Sequence, residues 1–185
     1  RAAVAPLLEA PLDGPATPLN LGARKIVEHW RFIDFVLSLR KLDEPRDLAN
    51  GKAMFQAARC AACHRLGGEG KAVGPDLTDV RKRFSRRDLL AAILSPSTII
   101  AEKYQATRFV MSDGKVFAGL IFSEDEQSVR IVVDPLTPEK LTTLAKGDIE
   151  AQSPSPVSLM PEGVLDTLTQ EEVLDLLAYI EAAAK

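Results

Sequence analysis

A mainly α-helical fold that carries a small inserted antiparallel β subdomain is what the sequence predicts, on three observations. Apolar residues recur at helical spacing near both ends of the 185-residue chain. Ser85 with Asp88, and Thr169 with Glu172, carry the spacing of a capping box at a helix start. Between them, from Tyr104, apolar and polar residues alternate on either side of Asp113-Gly114, a dipeptide that favours a tight hairpin turn.

Residues 1–45 read as a linker and an N-terminal helical extension. Arg1 to Asn20 contains Pro6, Pro11, Pro15 and Pro18 and is predicted to be extended. Asn20 is placed to cap a helix from about Gly22 to Leu42, with Ile26, Trp30, Ile33 and Val36 or Leu37 on its apolar side, and Pro45 stops it. Such a helix cannot build a core alone and needs a neighbour to pack on. Residues 46–102 read as the first part of a helical core. A helix over Asp47–Ala58 leads to a cysteine pair, and Arg65–Val80, with Gly67, Gly68, Gly70, Gly74 and Pro75, reads as irregular loop. A helix from Ser85 through Leu94 ends at Pro96.

Residues 103–152 read as the β subdomain, an SH3-like barrel or sheet. Its strands are expected over Tyr104–Ser112, Lys115–Ser123, Ser128–Asp134, Lys140–Leu144 and Asp148–Ala151. Val116, Ala118, Leu120 and Phe122 are expected on one face, with the acidic residues at 124 to 126 in a turn. Nothing in these residues decides whether the subdomain shields a site, docks a partner or is tolerated structure. Residues 153–185 complete the helical core. Pro154 and Pro156 lead into a loop around Met160, and a last helix has the stripe Val173, Leu176, Leu177 and Ile180. No internal repeat is visible.

The composition, 46% hydrophobic and 26% charged, is that of an ordinary globular protein. No apolar run approaches the length of a transmembrane helix. The net charge of -3 argues against a general nucleic-acid binder. That charge is uneven. Residues 46–102 hold ten Lys/Arg against six Asp/Glu, and residues 103–185 hold seven against fourteen. The asymmetry either steers a charged partner or reflects two differently composed subdomains. Arg1–Pro11 lacks the pattern of a signal peptide, so an exported chain would have lost its signal or be a fragment of something larger.

The chemistry is concentrated at Cys60-Ala61-Ala62-Cys63-His64. With only two cysteines a disulfide framework is excluded, and C-x-x-C-H is the pattern of c-type haem attachment. Two thiols separated by two residues span one edge of a porphyrin, and the next histidine lies under the iron. A zinc knuckle would need more ligands than the remaining His29 offers. A thioredoxin-like pair would want a βαβ setting, which this sequence lacks.

Taken together, Gly51-Lys52-Ala53-Met54-Phe55, the C-A-A-C-H motif, Gly74-Pro75-Asp76-Leu77, Met160-Pro161 and Leu177-Ala178-Tyr179 resemble a class I cytochrome c. The stretch from about Leu48 to Ala182, with Ser155 to Gly163 and the Asp113-Gly114 hairpin, resembles the cytochrome domain found near the C-terminus of large exported bacterial dehydrogenase or repeat proteins. The β insertion is the departure from a plain class I cytochrome. The resemblance implies that the helices holding Gly51, Phe55 and Tyr179 cross near the motif. It also implies that the Pro75 carbonyl accepts from His64 Nδ1, that Leu77 packs on the haem face and that Arg83 bonds a propionate. It places one covalent haem c in the periplasm or another exported compartment. There it would serve as an electron carrier, not an enzyme, for a redox partner protein or a fused dehydrogenase domain.

For the sixth iron ligand the candidates are Met160, in a Pro-flanked loop where that family places its thioether, then His29, or no residue at all. Met54 and Met111 read as core. An open site would instead suggest a haem-based sensor or a peroxidase-like enzyme. The basic group Arg81-Lys82-Arg83 with Arg86-Arg87 reads either as a docking patch for an acidic partner or as a solvated loop and helix start. Without interleaved aromatics beyond Phe84, it does not read as a nucleic-acid surface.

Overall fold

The computed structural model describes residues 24–184. The predicted linker and the Asn20 cap lie outside them. The described residues divide into two compact units, one formed by 100–159 and the other by 24–99 with 160–184.

In the second unit three helices form, α1 (Leu48–Ala57), α2 (Arg86–Leu94) and α3 (Gln170–Ala183). Each starts where a side chain meets an orphan backbone donor. Asp47 accepts from Asn50 N at 2.9 Å. Thr169 and Glu172 form the complete reciprocal box, at 3.3 and 2.8 Å. Only half of the box forms on α2: Ser85 accepts from Asp88 N, while its hydroxyl donates to the Asp88 carboxylate at 2.6 Å.

The α3 stripe predicted from periodicity is buried, with Val173, Leu176, Leu177 and Ile180 all at 2% exposure or less. It packs with Met54 and Phe55 of α1 and Leu89, Leu90 and Ile93 of α2 in one apolar cluster. Each such side chain contributes about 1.5–3 kcal/mol of transfer free energy. Helices α1 and α3 meet at Gly51, where a Cβ would fall on the Asp175 carbonyl oxygen and within 2.6 Å of Tyr179 Cβ. The Phe55 and Tyr179 rings sit edge-on beside this contact, 5.8 Å apart.

Asp175, buried at the same crossing, would be costly unpaired. Arg46 Nε and Asn50 Nδ2 donate to its two oxygens at 2.9 and 2.8 Å. One turn earlier, Lys41 and Arg46 hydrogen-bond the Glu171 carboxylate and hold it below the usual carboxylate range. A depressed folded-state pKa adds stability that is full above the unfolded value, about 4.3, and disappears as pH falls through the lower folded value. Both Lys41 and Glu171 are exposed, so the contribution is small, about 0.5 kcal/mol. E171Q is expected to lower the melting temperature slightly at pH 7 and to lose that difference from the parent in acid, once the Glu171 carboxylate is protonated in the folded protein as well. Thermal melts across this range provide the check, and an equal effect at both ends would oppose it.

The long N-terminal helix does not form. Arg24–Arg31 is neither helix nor strand, and only 3-10 segments follow, at Phe32–Phe35 and Ser38–Asp43. Ile26, Ile33 and Leu37, expected inside, are more than half exposed, whereas Phe35 and Leu42 are buried. The cause is tertiary. Val27 N and Glu28 N donate to the Asp166 carbonyl at 2.7 and 3.3 Å rather than to carbonyls four residues back. The β-branched Ile26, Val27, Ile33 and Val36 lower the local helix propensity as well. With this helix absent, the fold is not clearly mainly α.

Two short strands, β1 (Arg65–Leu66) and β2 (Glu69–Gly70), pair within the helical unit. The other unit is built on five strands, β3 (Thr107–Met111), β4 (Val116–Glu124), β5 (Ser128–Val132), β6 (Leu141–Ala145) and β7 (Ile149–Pro154), in one antiparallel sheet of order β6-β5-β4-β3-β7. The pairing leaves β6 and β7 as edges, so the sheet is open rather than a closed barrel, and Pro154 ends an edge strand, where a missing donor is tolerated. Phe109, Met111, Val129, Ile131 and Leu144 form its apolar cluster.

Two local details differ from the sequence reading. At the β3–β4 hairpin only Gly114 has positive φ, +84°, and its N–H bonds the Met111 carbonyl. This is a turn with a glycine bulge instead of a two-residue Asp-Gly turn. Phe122 leaves the expected Val116–Ala118–Leu120 face and is 63% exposed. The β4–β5 register slips between Ile121 and Ser123, and such a bulge reverses side-chain alternation.

Candidate functional site

The cysteine motif begins where α1 ends. Arg59 takes a left-handed conformation, φ +60°, that turns the chain out of the helix into a single 3-10 turn, Cys60–Ala62. Cys63 N and His64 N both donate to the Cys60 carbonyl, at 3.2 and 2.8 Å. This one turn brings two thiols that form no disulfide and an imidazole together. Although part of the residue reaches solvent, the Cys60 sulfur packs against the apolar core, and burial pushes its thiol up to about 12.

His64 Nδ1 lies 2.8 Å from the Pro75 carbonyl oxygen. A carbonyl only accepts, so Nδ1 carries the proton and donates. Burial lowers the imidazole pKa despite this bond. The ring is thus neutral, with Nε2 left as the nitrogen able to meet a metal.

The loop that supplies Pro75 is fixed by its own backbone. Gly67 and Gly68, φ +58° and +91°, turn a short hairpin between β1 (Arg65–Leu66) and β2 (Glu69–Gly70), inside a stretch that the sequence suggested was irregular. Lys71 N then donates to the Ala61 carbonyl, Val73 N and Gly74 N to the Cys63 carbonyl, and Leu77 N to the Arg65 carbonyl, at 2.8–3.1 Å. Gly74 lies flat against the imidazole, and a Cβ there would press to 2.9 Å from His64 Cε1. Gly74 as a packing partner of the ring is a role the sequence reading missed. Gly74 stood in the sequence as part of the Gly74-Pro75-Asp76-Leu77 motif, with no role of its own.

Arg83 donates from its guanidinium to the Asp76 carbonyl at 2.8 Å and is exposed, next to the Pro75 turn. Leu77 and Met160 are half-buried, and both pack on the apolar cluster that Cys60 and Ala61 also touch. The structure therefore gathers Cys60, Cys63, His64, Pro75, Leu77 and Met160 in one unit, with Arg83 at its surface.

His29 is directed elsewhere. Its ring is exposed, and Nδ1 lies 2.6 Å from the Asp166 carboxylate. Met54 and Met111 are core, each in a different unit. The basic group is largely engaged internally: Lys82 pairs with Asp79, Arg86 with Asp43 and Glu181, and Arg87 stacks over Phe32. These pairings favour the local reading of that cluster over the docking one.

Two thiols on one turn, a neutral imidazole with Nε2 available and a glycine-lined loop fixing the ring suit a porphyrin tethered at its edge. Among the described residues, no group of three or more His, Cys, Asp or Glu side chains is placed to hold a metal by itself. No helix of the described residues is long and apolar enough to cross a membrane.

A search among curated proteins finds no match to the chain. The family model described as cytochrome c matches residues 48–128, which include Cys60, Cys63, His64, Pro75, Leu77 and Arg83 but not Met160. Over those residues the chain is similar to the cytochrome c family, whose members bind a c-type haem covalently and transfer electrons through it.

Proposed function

We propose that this chain carries single electrons at one haem c, joined by thioethers to Cys60 and Cys63 and ligated by His64 and Met160. The observation that carries this reading is the His64 imidazole, kept neutral by burial and oriented by the Pro75 carbonyl directly after the two thiols. When bound, the haem supplies a reversible one-electron couple. The rest is the work of the chain. The Pro75 acceptor raises the basicity of the imidazole towards a metal. A Met160 thioether as the second protein ligand would favour the ferrous state and raise the potential. Leu77 excludes water from the proximal side, and the remaining N–H groups of Arg83 are free in number to reach a propionate.

In this reading the helical unit is a class I cytochrome core and the five-stranded unit its β insertion. Haem c attachment by the usual machinery takes place outside the cytoplasm, so the domain works in the periplasm or on an outer surface. It acts as a module of a larger exported redox protein, and its electron source or sink is a partner protein or a fused dehydrogenase domain.

Met160→Ala tests the ligand set. The variant is expected to lose the weak near-infrared thioether band of the oxidised protein, to show a lower potential, and to bind carbon monoxide when reduced. An unchanged spectrum and potential would remove Met160 from the iron. Ready carbon monoxide binding by the parent protein would favour an open-site sensor or peroxidase-like role instead.

A further inference from the structure

We infer that residues Arg24–Trp30 form a strap that positions the Met160 loop, with Asp166 as the positioning residue. The inference rests on the reading of Met160 as an axial ligand. Met160 opens a stretch of turns, residues 161–168, that reaches α3 without a helix or strand of its own. Residues 24–31 likewise lack secondary structure. Backbone groups in both segments need partners from outside, and each segment supplies them to the other.

Asp166 is the hub of this exchange. Its carbonyl accepts Val27 N and Glu28 N, at 2.7 and 3.3 Å. Its carboxylate accepts Trp30 N at 3.3 Å and pairs with His29 Nδ1 at 2.6 Å. Its own N–H closes a turn onto the Gly163 carbonyl at 3.0 Å, where Gly163 has φ +73°. The carboxylate is largely buried, so these partners are required and not ornamental. On either side the strap repeats the pattern. Arg24 Nε donates to the Thr167 carbonyl at 3.1 Å, and its guanidinium grips Glu172 at 2.7 Å. Trp30 Nε1 donates to the Leu168 carbonyl at 2.9 Å, with its ring tilted 5.1 Å from that of Phe35.

The consequence lies six residues upstream, at Met160. An iron–thioether bond is weak and survives only if its loop is held close to the bonded geometry. Val164, Leu165 and Leu168 are buried and set the base of the loop, while the strap fixes the backbone between them. Loss of Asp166 frees that backbone, and the thioether is then exchanged for external ligands.

The test uses the haem-loaded chain. In Asp166→Ala, carbon monoxide binding by the reduced protein is expected to accelerate about tenfold, and the potential to move towards that of Met160→Ala. The carboxamide of Asp166→Asn keeps an acceptor for Trp30 N and a donor for His29, so that variant should stay close to the parent. A folded Asp166→Ala protein with parental carbon monoxide kinetics and potential would overturn the strap. If Asp166→Ala does not fold, Trp30→Phe, which deletes the bond to the Leu168 carbonyl and keeps an aromatic ring beside Phe35, is read in its place.

Hydrogen exchange separates the two readings. If the parent itself binds carbon monoxide as readily as Met160→Ala, the ligand reading fails. Faster amide exchange over residues 164–168 in Trp30→Phe then still supports the strap, and unchanged exchange there overturns it.

Discussion

Gly51→Ala is expected to lower folding stability by about 3 kcal/mol, near the upper end of overpacking costs. The new methyl would fall on the Asp175 carbonyl and within 2.6 Å of Tyr179 Cβ. One obstacle is helix backbone and the other the root of a side chain, so neither can swing away. The helices must part, which separates the Phe55 and Tyr179 rings and strains the Asn50–Asp175 hydrogen bond. The sign is diagnostic. In an uncrowded helix interior the same change stabilises by about 1 kcal/mol, because alanine is the better helix former. Urea unfolding of the two proteins decides between these outcomes, and a gain in stability would contradict the close α1–α3 crossing.

The second large effect concerns the tether. In the double variant Cys60→Ala with Cys63→Ala, covalent haem is expected to vanish entirely. Acid–acetone extraction of the purified protein should then carry all haem into the organic phase. Each single variant should keep its haem in the protein phase through the remaining thioether. The arrangement of the turn explains the asymmetry, since Cys60 and Cys63 sit at its two ends and either can hold one side of a porphyrin edge. Extraction of haem from the parent itself would contradict the attachment.

What the sequence made legible followed its locality. The starts of α2 and α3 were marked by Ser85 and Thr169, because a cap acts within three residues, whereas Asp47, read as the first residue of α1, is its cap. The five strands were found to within about three residues at most ends, since alternation and turn residues are also local. The N-terminal helix was misread because Asp166, more than a hundred residues away, competes for its backbone donors. Phe122 was misassigned because a bulge shifts register without a mark in the sequence that sets it apart.

The same division holds at the site. Cys60, Cys63 and His64 are contiguous, and their partner Pro75 follows within one loop, so the motif and its second neighbour could both be read. The packing of Gly74 on the imidazole is also close in sequence, but a glycine reports only that space is short and does not name its neighbour. Asp166 gave no sign at all. An acid within the apolar run Val164-Leu165-Asp166-Thr167-Leu168 looks like a surface residue until its partners in the strap are seen.

The intact mass of the chain, produced in a host with a c-type haem maturation system and denatured before measurement, tests the covalent attachment most directly. The expected result is a single species heavier than the polypeptide by one haem, with the modification on a peptide that contains Cys60 and Cys63. A species at the bare polypeptide mass would contradict it.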